Sequence, residues 1–185
     1  SEIGIISGAI REGRADEVLD LLADEGKGPV KWSQLPVESD LKDALKGVVL
    51  SAWTAYLACK DPHDMLIRFD DLRILCAVRR GPYGLERVNA LVVEILKEKD
   101  LIGRGDIWYQ GRPVMITQND YSLRLFNGDV GIAFSTQTGG SDLRVFFPSQ
   151  GAGTRSFLPY RLPQHETVFA TTVHKSQGSE FENVL

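Results

Sequence analysis

A nearly continuous apolar run at residues 72–78 constrains the fold more than any other stretch of the chain. Such a run, bounded by charged residues, is typical of a strand that is buried on both faces of a parallel sheet. A loop at residues 79–84 follows it, and a helical apolar pattern then extends over residues 85–99. Strand, loop and helix in this order form half of a right-handed crossover unit, so the sequence predicts an α/β domain.

Helical periodicity dominates the residues that precede this run. A first helix is predicted to end at Gly13, a second covers residues 15–23, and a long third helix begins after a cap at Ser39 or Asp40. Between the second and third helices, residues 30–35 predict a short strand. The sequence therefore predicts a mostly helical segment in front of the first buried strand.

The pattern changes after Gly103 to short strands that are separated by turn signals. These strands are predicted at residues 114–117, 131–134, 143–147 and 155–158. The turn signals between them are Asn127-Gly128, Gly139-Gly140 and Gly151-Ala152-Gly153. Several short strands at close spacing indicate a small β-barrel.

After Pro163 an alternating strand is predicted over residues 167–173, and it returns the chain to the α/β domain. The predicted organisation is thus an α/β domain formed by residues 1–103 and 164–185. A small barrel at residues 104–163 interrupts it.

Charge is distributed unevenly along the chain, whose formal net charge is -4. Residues 1–70 hold 8 basic and 13 acidic side chains, whereas residues 71–185 hold 13 basic and 12 acidic ones. Any contact with nucleic acid is therefore expected to be local and to lie in the second part. No apolar run approaches the roughly 20 residues that span a bilayer. The isolated Cys59 and Cys76 are typical of reduced core residues in a cytoplasmic protein.

The most informative string lies at residues 171–181. A strand is predicted to end at Val173 and to expose the following polar residues at its carboxyl end, where ligands bind in open α/β sheets. Glycine permits close approach of the backbone to a phosphate. Glutamine donates and accepts hydrogen bonds, and glutamate can accept one from a ribose hydroxyl. The same composition also suits an ordinary polar turn that caps a helix, so the residue types alone leave two interpretations.

The order of residues in this string resembles the fifth sequence motif of superfamily 1 helicases that move 5′ to 3′. The match is close to the RecD family, the alpha subunits of exodeoxyribonuclease V. The string reads Thr171-Thr172-Val173-His174-Lys175-Ser176-Gln177-Gly178-Ser179-Glu180-Phe181. Further stretches resemble the same family, at residues 75–84 with Asn89, 111–116, 119–120, 125–131 and 162–167. The resemblance covers residues 70–185, whereas over residues 1–70 only the helical layout and the apolar positions are similar.

This resemblance implies a fold and a function. The fold is a partial RecA-like parallel-sheet motor domain, the second of its protein, with an inserted Src-homology-type β-barrel. The function is that of an ATP-dependent DNA helicase in double-strand break repair and recombination. ATP and Mg²⁺ would be its cofactors in the full-length protein, with none bound to the fragment. Single-stranded DNA and the RecB and RecC subunits would be its partners.

The resemblance also implies roles for individual residues. Gln177 and Gly178 would lie near the ATP phosphates and Glu180 near the ribose. Further residues would contact the DNA. They lie in the string itself, in the loop after the strand predicted at residues 72–78, and in the predicted barrel. These are Thr172, His174, Lys175, Arg79, Arg80, Asn119, Tyr121, Arg124 and Asn127.

Several of these residues also have a purely structural interpretation. Asn127-Gly128 fits a hairpin turn that needs positive φ, and Tyr121 and Phe126 fit a barrel core as well as a base-stacking surface. Arg79 and Arg80 could form a solvated loop. The tryptophans are predicted to lie in the core or in a buried interface, at Trp32, Trp53 and Trp108.

Parts of a phosphoryl-transfer site are not recognisable in the sequence. Gly26-Lys27-Gly28 lacks the upstream glycine and the hydroxyl residue of a phosphate loop, and no acidic strand end suits Mg²⁺. Because the chain starts at Ser1 and an apolar strand begins at its other end, we expect a piece of a longer protein. The first motor domain would precede it, and an arginine-bearing motif would follow it.

The isolated chain is therefore expected to be inactive, since phosphoryl transfer needs the phosphate cradle, the metal and the arginine together. Its cut sheet edge could promote artificial self-association. Two other functions stay open. One is a stand-alone RecD-like or conjugative helicase, which would lack a domain that docks on RecC. The other is a non-enzymatic barrel that binds nucleic acid, which would not need the Gln177–Glu180 string.

Overall fold

The computed structural model describes residues 2–23, 28–104, 107–136, 142–149 and 153–185. They belong to two compact units, Ser1–Val37 and Glu38–Leu185. Within the described ranges, no helix is both long and apolar enough to cross a membrane.

The first unit contains α1 (Glu2–Arg11) and α2 (Ala15–Ala23), which confirms both predicted helices. Gly13 joins them with a φ of 72°, a conformation that favours glycine. The strand predicted over residues 30–35 is wrong, because these residues have no regular structure. An isolated extended segment is not stable in water without a partner strand, and none is described in this unit. Trp32 is 65% exposed, so it is not a core residue of this unit.

Three helices of the second unit flank its first strand in sequence: α3 (Leu41–Leu57), α4 (Pro62–Phe69) and α5 (Leu85–Glu98). A 3-10 turn at Glu38–Asp40 leads into α3. Asp40 occupies the predicted cap position, but its side chain makes no capping hydrogen bond and instead accepts one from the Ser39 hydroxyl at 2.7 Å.

A parallel sheet forms the centre of the second unit, with β1 (Leu72–Cys76) between β7 (Ala170–Thr172) and β8 (Asn183–Val184). Both neighbours of β1 run parallel to it. Helix α5 follows β1, and β7 lies beside it, as the strand–loop–helix pattern predicts. The residues of β1 are almost all buried, which confirms that it is an inner strand.

Aromatic side chains fill the core between α3, α4 and the chain that enters β7. The ring centroids of Trp53 and Phe169 are 5.0 Å apart, and those of Tyr56 and Phe69 are 5.5 Å apart. All four side chains are fully buried or nearly so. The prediction that Trp53 is a core residue is therefore confirmed, whereas Trp108 is only half-buried.

Both cysteines are free thiols in separate places. Cys76 is buried on β1 and Cys59 is half-buried after α3. Burial raises the pKa of each thiol above its ordinary value. The two thiols are not paired with each other, which agrees with the prediction that both cysteines are reduced.

An antiparallel sheet is built from the short strands of the second half, in the order β5-β4-β3-β2-β6. Its strands are β2 (Pro113–Ile116), β3 (Val130–Ser135), β4 (Leu143–Pro148), β5 (Thr154–Phe157) and β6 (His165–Thr167). The turn signals at residues 139–140 and 151–152 lie outside the described residues.

The single strand predicted over residues 167–173 is wrong. His165–Thr167 pairs with β2 in the antiparallel sheet, and Ala170–Thr172 pairs with β1 in the parallel sheet. Between them, Val168 and Phe169 are fully buried, so one apolar stretch crosses from one sheet to the other. The antiparallel sheet thus extends beyond the predicted barrel boundary at residue 163.

The antiparallel sheet buries side chains on both of its faces. Because neighbouring side chains of a strand point to opposite faces, Val114 and Ile116 join a small cluster with Leu125 and Phe147. Met115, on the other face, joins the large core of the α/β part. The inner strands are therefore apolar at almost every position instead of alternating.

Trp53→Ala tests this core. We expect it to lower the free energy of unfolding by about 3–5 kcal/mol, because it removes a large buried aromatic side chain and leaves a cavity. Urea denaturation followed by far-ultraviolet circular dichroism measures the loss. Trp32→Ala is the matched control, with an expected change within about 0.5 kcal/mol. Equal losses for the two variants would contradict the assignment of Trp53 to the core.

Candidate nucleotide and nucleic-acid interface

The string at residues 171–181 leaves the carboxyl end of β7 as a compact turn. A 3-10 turn at Val173–Ser176 follows the strand, and the Ser176 hydroxyl donates to the carbonyl of Val173 at 2.8 Å. Gly178 then adopts a φ of 82°, and no atom lies within 4 Å of the position where a Cβ would be. The backbone at Gly178 is therefore open, and its conformation favours glycine.

The polar residues of this turn face solvent. His174, Gln177 and Glu180 are exposed, whereas Thr172 is half-buried at the strand end. Their placement at the carboxyl end of a parallel strand is the one predicted, and it is where open α/β sheets bind ligands.

Arg79 and Lys175 converge on one carboxylate, that of Glu166 on β6. Arg79 Nη2 donates to Glu166 Oε2 at 2.5 Å, and Lys175 Nζ lies 3.5 Å from Glu166 Oε1. The hydrogen bond from Arg79 to Glu166 raises the pKa of the guanidinium above its ordinary value. The structure thus brings together two predicted DNA-binding residues that are almost a hundred positions apart in sequence.

Arg80 differs from its neighbour. Its side chain is 87% exposed, and its one ion pair among the described residues joins its Nε to Glu86 Oε1 at 3.9 Å. Arg79 Nε lies closer to the same oxygen, at 3.4 Å. An exposed pair at this distance contributes little to stability. The guanidinium of Arg80 is consequently available at the surface beside the carboxyl end of β1.

A cleft of about 360 Å³ lies between the string and the antiparallel sheet. Lys175 and Glu180 are the predicted site residues that line it, together with Thr171 and Arg155. Thr171 is buried, and its Oγ1 has no hydrogen-bond partner among the described residues. A buried hydroxyl without a partner destabilises the folded chain.

Arg73 is a buried cation on β1 that also lines the cleft. Its guanidinium lies 4.4 Å from the ring centroid of Phe69 and 4.9 Å from that of Phe181, and it donates to Asp70 at 2.7 Å. Burial lowers the pKa of Arg73, and Asp70 opposes this shift. Sequence reasoning did not single it out. The signal was present, however, since Arg73 is the one charged residue within the run at 72–78.

The loop between β2 and β3 carries the predicted barrel contacts. Asn119 Oδ1 accepts from the backbone N–H of Asn127 at 2.8 Å. The following turn closes from Asp129 N to the Phe126 carbonyl at 2.9 Å, with a φ of 99° at Gly128. The positive φ predicted for this turn is confirmed at Gly128, while Asn119 has an internal structural role.

Further hydrogen bonds fix the tip of this loop. Asp120 Oδ1 accepts from the hydroxyl and backbone N–H of Ser122 at 2.6 and 2.9 Å and from the backbone N–H of Leu123 at 3.0 Å. These bonds, led by that from the hydroxyl, hold the pKa of Asp120 below its ordinary value. Arg155 donates to the carbonyls of Leu123 and Arg124 at 3.1 and 2.7 Å. The loop is therefore ordered before any partner binds.

Tyr121 and Phe126 are exposed, so the interpretation of these two aromatic residues as part of a barrel core is wrong. Tyr121 is 76% exposed and Phe126 is also exposed, with their rings edge-to-face at 6.0 Å. Leu125, which lies between them in sequence, takes the buried position instead. The turn geometry of residues 120–125 decides which of the three apolar side chains points inward.

The described residues contain no group of three or more His, Cys, Asp or Glu side chains that could hold a metal ion.

No family model matches the chain. Curated relatives do match it. The RecBCD enzyme subunit RecD of Mycolicibacterium smegmatis is 37% identical over 183 residues, which cover 98% of this chain and 31% of the relative. The same subunit of Haemophilus influenzae is 32% identical over 209 residues, which cover the whole chain and 30% of the relative. The ATP-dependent RecD2 DNA helicase of Deinococcus radiodurans is 28% identical over 117 residues, which cover 62% of this chain and 16% of the relative.

The chain is thus similar to RecD subunits of RecBCD enzymes over nearly its full length. It is a homologue of RecD, and this confirms the resemblance that residues 70–185 indicate and extends it to the first 70 residues. The chain spans about a third of the length of the curated RecD relatives described above.

Thr171→Val tests the unsatisfied hydroxyl. We expect it to raise the free energy of unfolding by about 0.5–1 kcal/mol, because valine keeps the shape and removes a buried polar group without a partner. Thermal or urea denaturation measures the change, and Thr171→Ala, which leaves a small cavity, should instead be destabilising by about 1 kcal/mol. A loss above about 1 kcal/mol for Thr171→Val would mean that the hydroxyl has an internal partner.

Proposed function

We propose that this chain is part of the ATP-dependent 5′ to 3′ DNA helicase subunit of an exodeoxyribonuclease V, acting in double-strand break repair and recombination. It would supply a grip on single-stranded DNA and one wall of the ATP site. In this proposal residues 1–103 and 168–185 form the second RecA-like motor domain, so its second segment begins after β6 and not at the predicted residue 164. The antiparallel sheet is its inserted Src-homology-type barrel, which β6 extends to Thr167.

One observation carries the proposal. The Thr171–Phe181 string begins in the last two residues of a parallel strand, β7, that pairs directly with β1, and most of its polar residues beyond that strand are exposed at the carboxyl end of the sheet. An ordinary polar turn capping a helix does not account for it, since no helix follows the string among the described residues. The similarity to RecD over nearly the whole chain supports the same function.

The geometry of the string suits the phosphate side of a nucleotide. The open backbone at Gly178 permits close approach of a phosphate oxygen. The exposed Gln177 side chain can donate to it, and the exposed Glu180 can accept from a ribose hydroxyl. The phosphate cradle, Mg²⁺ and the charge-neutralising arginine would come from other parts of the full-length protein. We therefore expect the isolated chain to hydrolyse no ATP.

The DNA grip would be phosphate-based and independent of sequence. Thr172, His174 and Lys175 lie at the end of β7, and Arg79 and Arg80 lie after the neighbouring β1. These hydroxyl, imidazole and cationic groups are suited to phosphate oxygens. The exposed barrel residues Tyr121, Arg124 and Asn127 would extend this surface.

Gln177→Ala and Glu180→Gln test the motor assignment in the full-length protein. Each should reduce DNA-stimulated ATP hydrolysis more than tenfold, which corresponds to about 1.4 kcal/mol or more of lost transition-state stabilisation. Each should keep the wild-type circular dichroism spectrum. Glu182→Gln is the matched control, since Glu182 is an exposed carboxylate that follows the string without an assigned role. Wild-type hydrolysis in both site variants would overturn the assignment.

A second candidate is a stand-alone helicase, and the similarity to the RecD2 DNA helicase favours it. That match is less identical and covers less of the chain than the match to RecD of Mycolicibacterium smegmatis, so we propose the subunit function, with RecB and RecC as partners. As part of a DNA-processing enzyme, the protein would act in the cytoplasm.

Co-expression separates the two candidates. Affinity-tagged full-length protein should retain RecB and RecC from the same cell through a salt wash and elute with them in one gel-filtration peak. A RecB–RecC preparation lacking the tagged protein controls for non-specific retention. An active helicase that elutes alone would favour the stand-alone function.

A further inference from the structure

Glu166 holds two of the cations that the proposed function assigns to DNA. One carboxylate oxygen accepts from Arg79 at 2.5 Å and the other lies 3.5 Å from Lys175 Nζ. Glu166 belongs to β6 of the antiparallel sheet, whereas the two cations follow β1 and β7 of the parallel sheet. This ion-pair cluster therefore links the two sheets at the edge where DNA would bind.

We propose that Glu166 is an internal competitor of the DNA backbone: its carboxylate occupies Arg79 and Lys175 in the free protein, and a DNA phosphate displaces it. The inference rests on the proposed DNA-binding function and adds a regulatory residue to that site. A carboxylate and a phosphate accept hydrogen bonds from the same guanidinium and ammonium donors, so both cannot be fully bonded at once.

Exposure makes the exchange feasible. The side chains of Arg79, Lys175 and Glu166 retain 50%, 32% and 22% of their accessible surface. Breaking a buried ion pair would leave an uncompensated charge in the interior, at a large cost. Here each released group is hydrated by solvent, so a phosphate can replace the carboxylate at a modest cost.

The exchange also has a structural consequence. Val168 and Phe169 join β6 to β7 by a short buried connection, and the cluster is an ionic link between the same two sheets. When DNA displaces Glu166, that ionic link is lost while the covalent and apolar links stay.

Glu166→Gln in the full-length protein tests the proposal. Binding of a fluorescein-labelled oligo-dT strand, measured by anisotropy at low salt, should be about three- to tenfold tighter than in the wild type, because the competing charge is gone. The difference should shrink at high salt, where the charges are screened.

Glu98→Gln is the matched control for net charge. Glu98 pairs with Lys42, which Glu94 also holds at 2.6 Å, so the fold keeps a partner for that lysine. It ends α5, about 20 Å along the helix axis from Leu85. Glu98→Gln should leave the affinity for oligo-dT unchanged within about twofold.

A double-mutant cycle with Lys175→Gln excludes a general charge effect. If Glu166 competes for Lys175, the lysine contributes more to binding once the carboxylate is removed, so Lys175→Gln should cost more affinity in the Glu166→Gln background. Equal or weaker binding of Glu166→Gln relative to Glu98→Gln would overturn the competitor role. Failure of the wild-type protein to bind oligo-dT would overturn the proposed function and this inference with it.

Discussion

The parallel pairing of β1 with β7 is the contact on which the rest of the second unit depends. Three residues of each strand are in register, from Ile74 opposite Ala170 to Cys76 opposite Thr172. The strands are separated in sequence by α5 and the whole antiparallel sheet. Because the carboxyl ends of parallel strands meet at the same edge, this pairing places the loop after β1 beside the string after β7. The cluster of Arg79, Glu166 and Lys175 follows from it.

The antiparallel sheet is built into the α/β core and does not sit apart from it. Met115 and the two β3 residues Ile132 and Phe134 pack into the large core, while Val114 and Ala133 face the smaller cluster. Strand residues that alternate between two apolar environments fix the register, since a shift by one residue would exchange every side chain between them. The β2–β3 loop is thereby held at a defined position beside the cleft.

Arg73 shows how a charge is accommodated inside such a core. A buried cation is costly to desolvate, and Asp70 together with the rings of Phe69 and Phe181 offsets part of that cost. Phe181 belongs to the same string as Gln177 and Glu180. The strand β1 is therefore linked through Arg73 to the segment that carries the proposed nucleotide contacts.

The sequence by itself determined the local structure and the family. The apolar run at 72–78, the periodicity of 85–99 and the short strands after Gly103 predicted their elements to within a few residues, because burial and turn chemistry act over neighbouring positions. The residue order of the string at 171–181 indicated the resemblance to RecD, and the similarity to curated RecD subunits agrees with it. The predictions were wrong where a strand needs a partner strand that is distant in sequence. Residues 30–35 do not form the predicted strand, and the strand predicted over 167–173 is divided between two sheets.

Only the tertiary structure decided which distant residues meet. Whether Val168 and Phe169 continue one strand or cross between two sheets depends on the edges that β2 and β1 offer, which lie more than 50 residues away. The same holds for the loop that exposes Tyr121 and buries Leu125, since Arg155 on β5 donates to its carbonyls at Leu123 and Arg124 from about 30 positions away. Nothing in the sequence indicated the ion pairs of Glu166, because its two partners are distant or follow another strand. Only the folded chain brings Arg79 and Lys175 to its carboxylate.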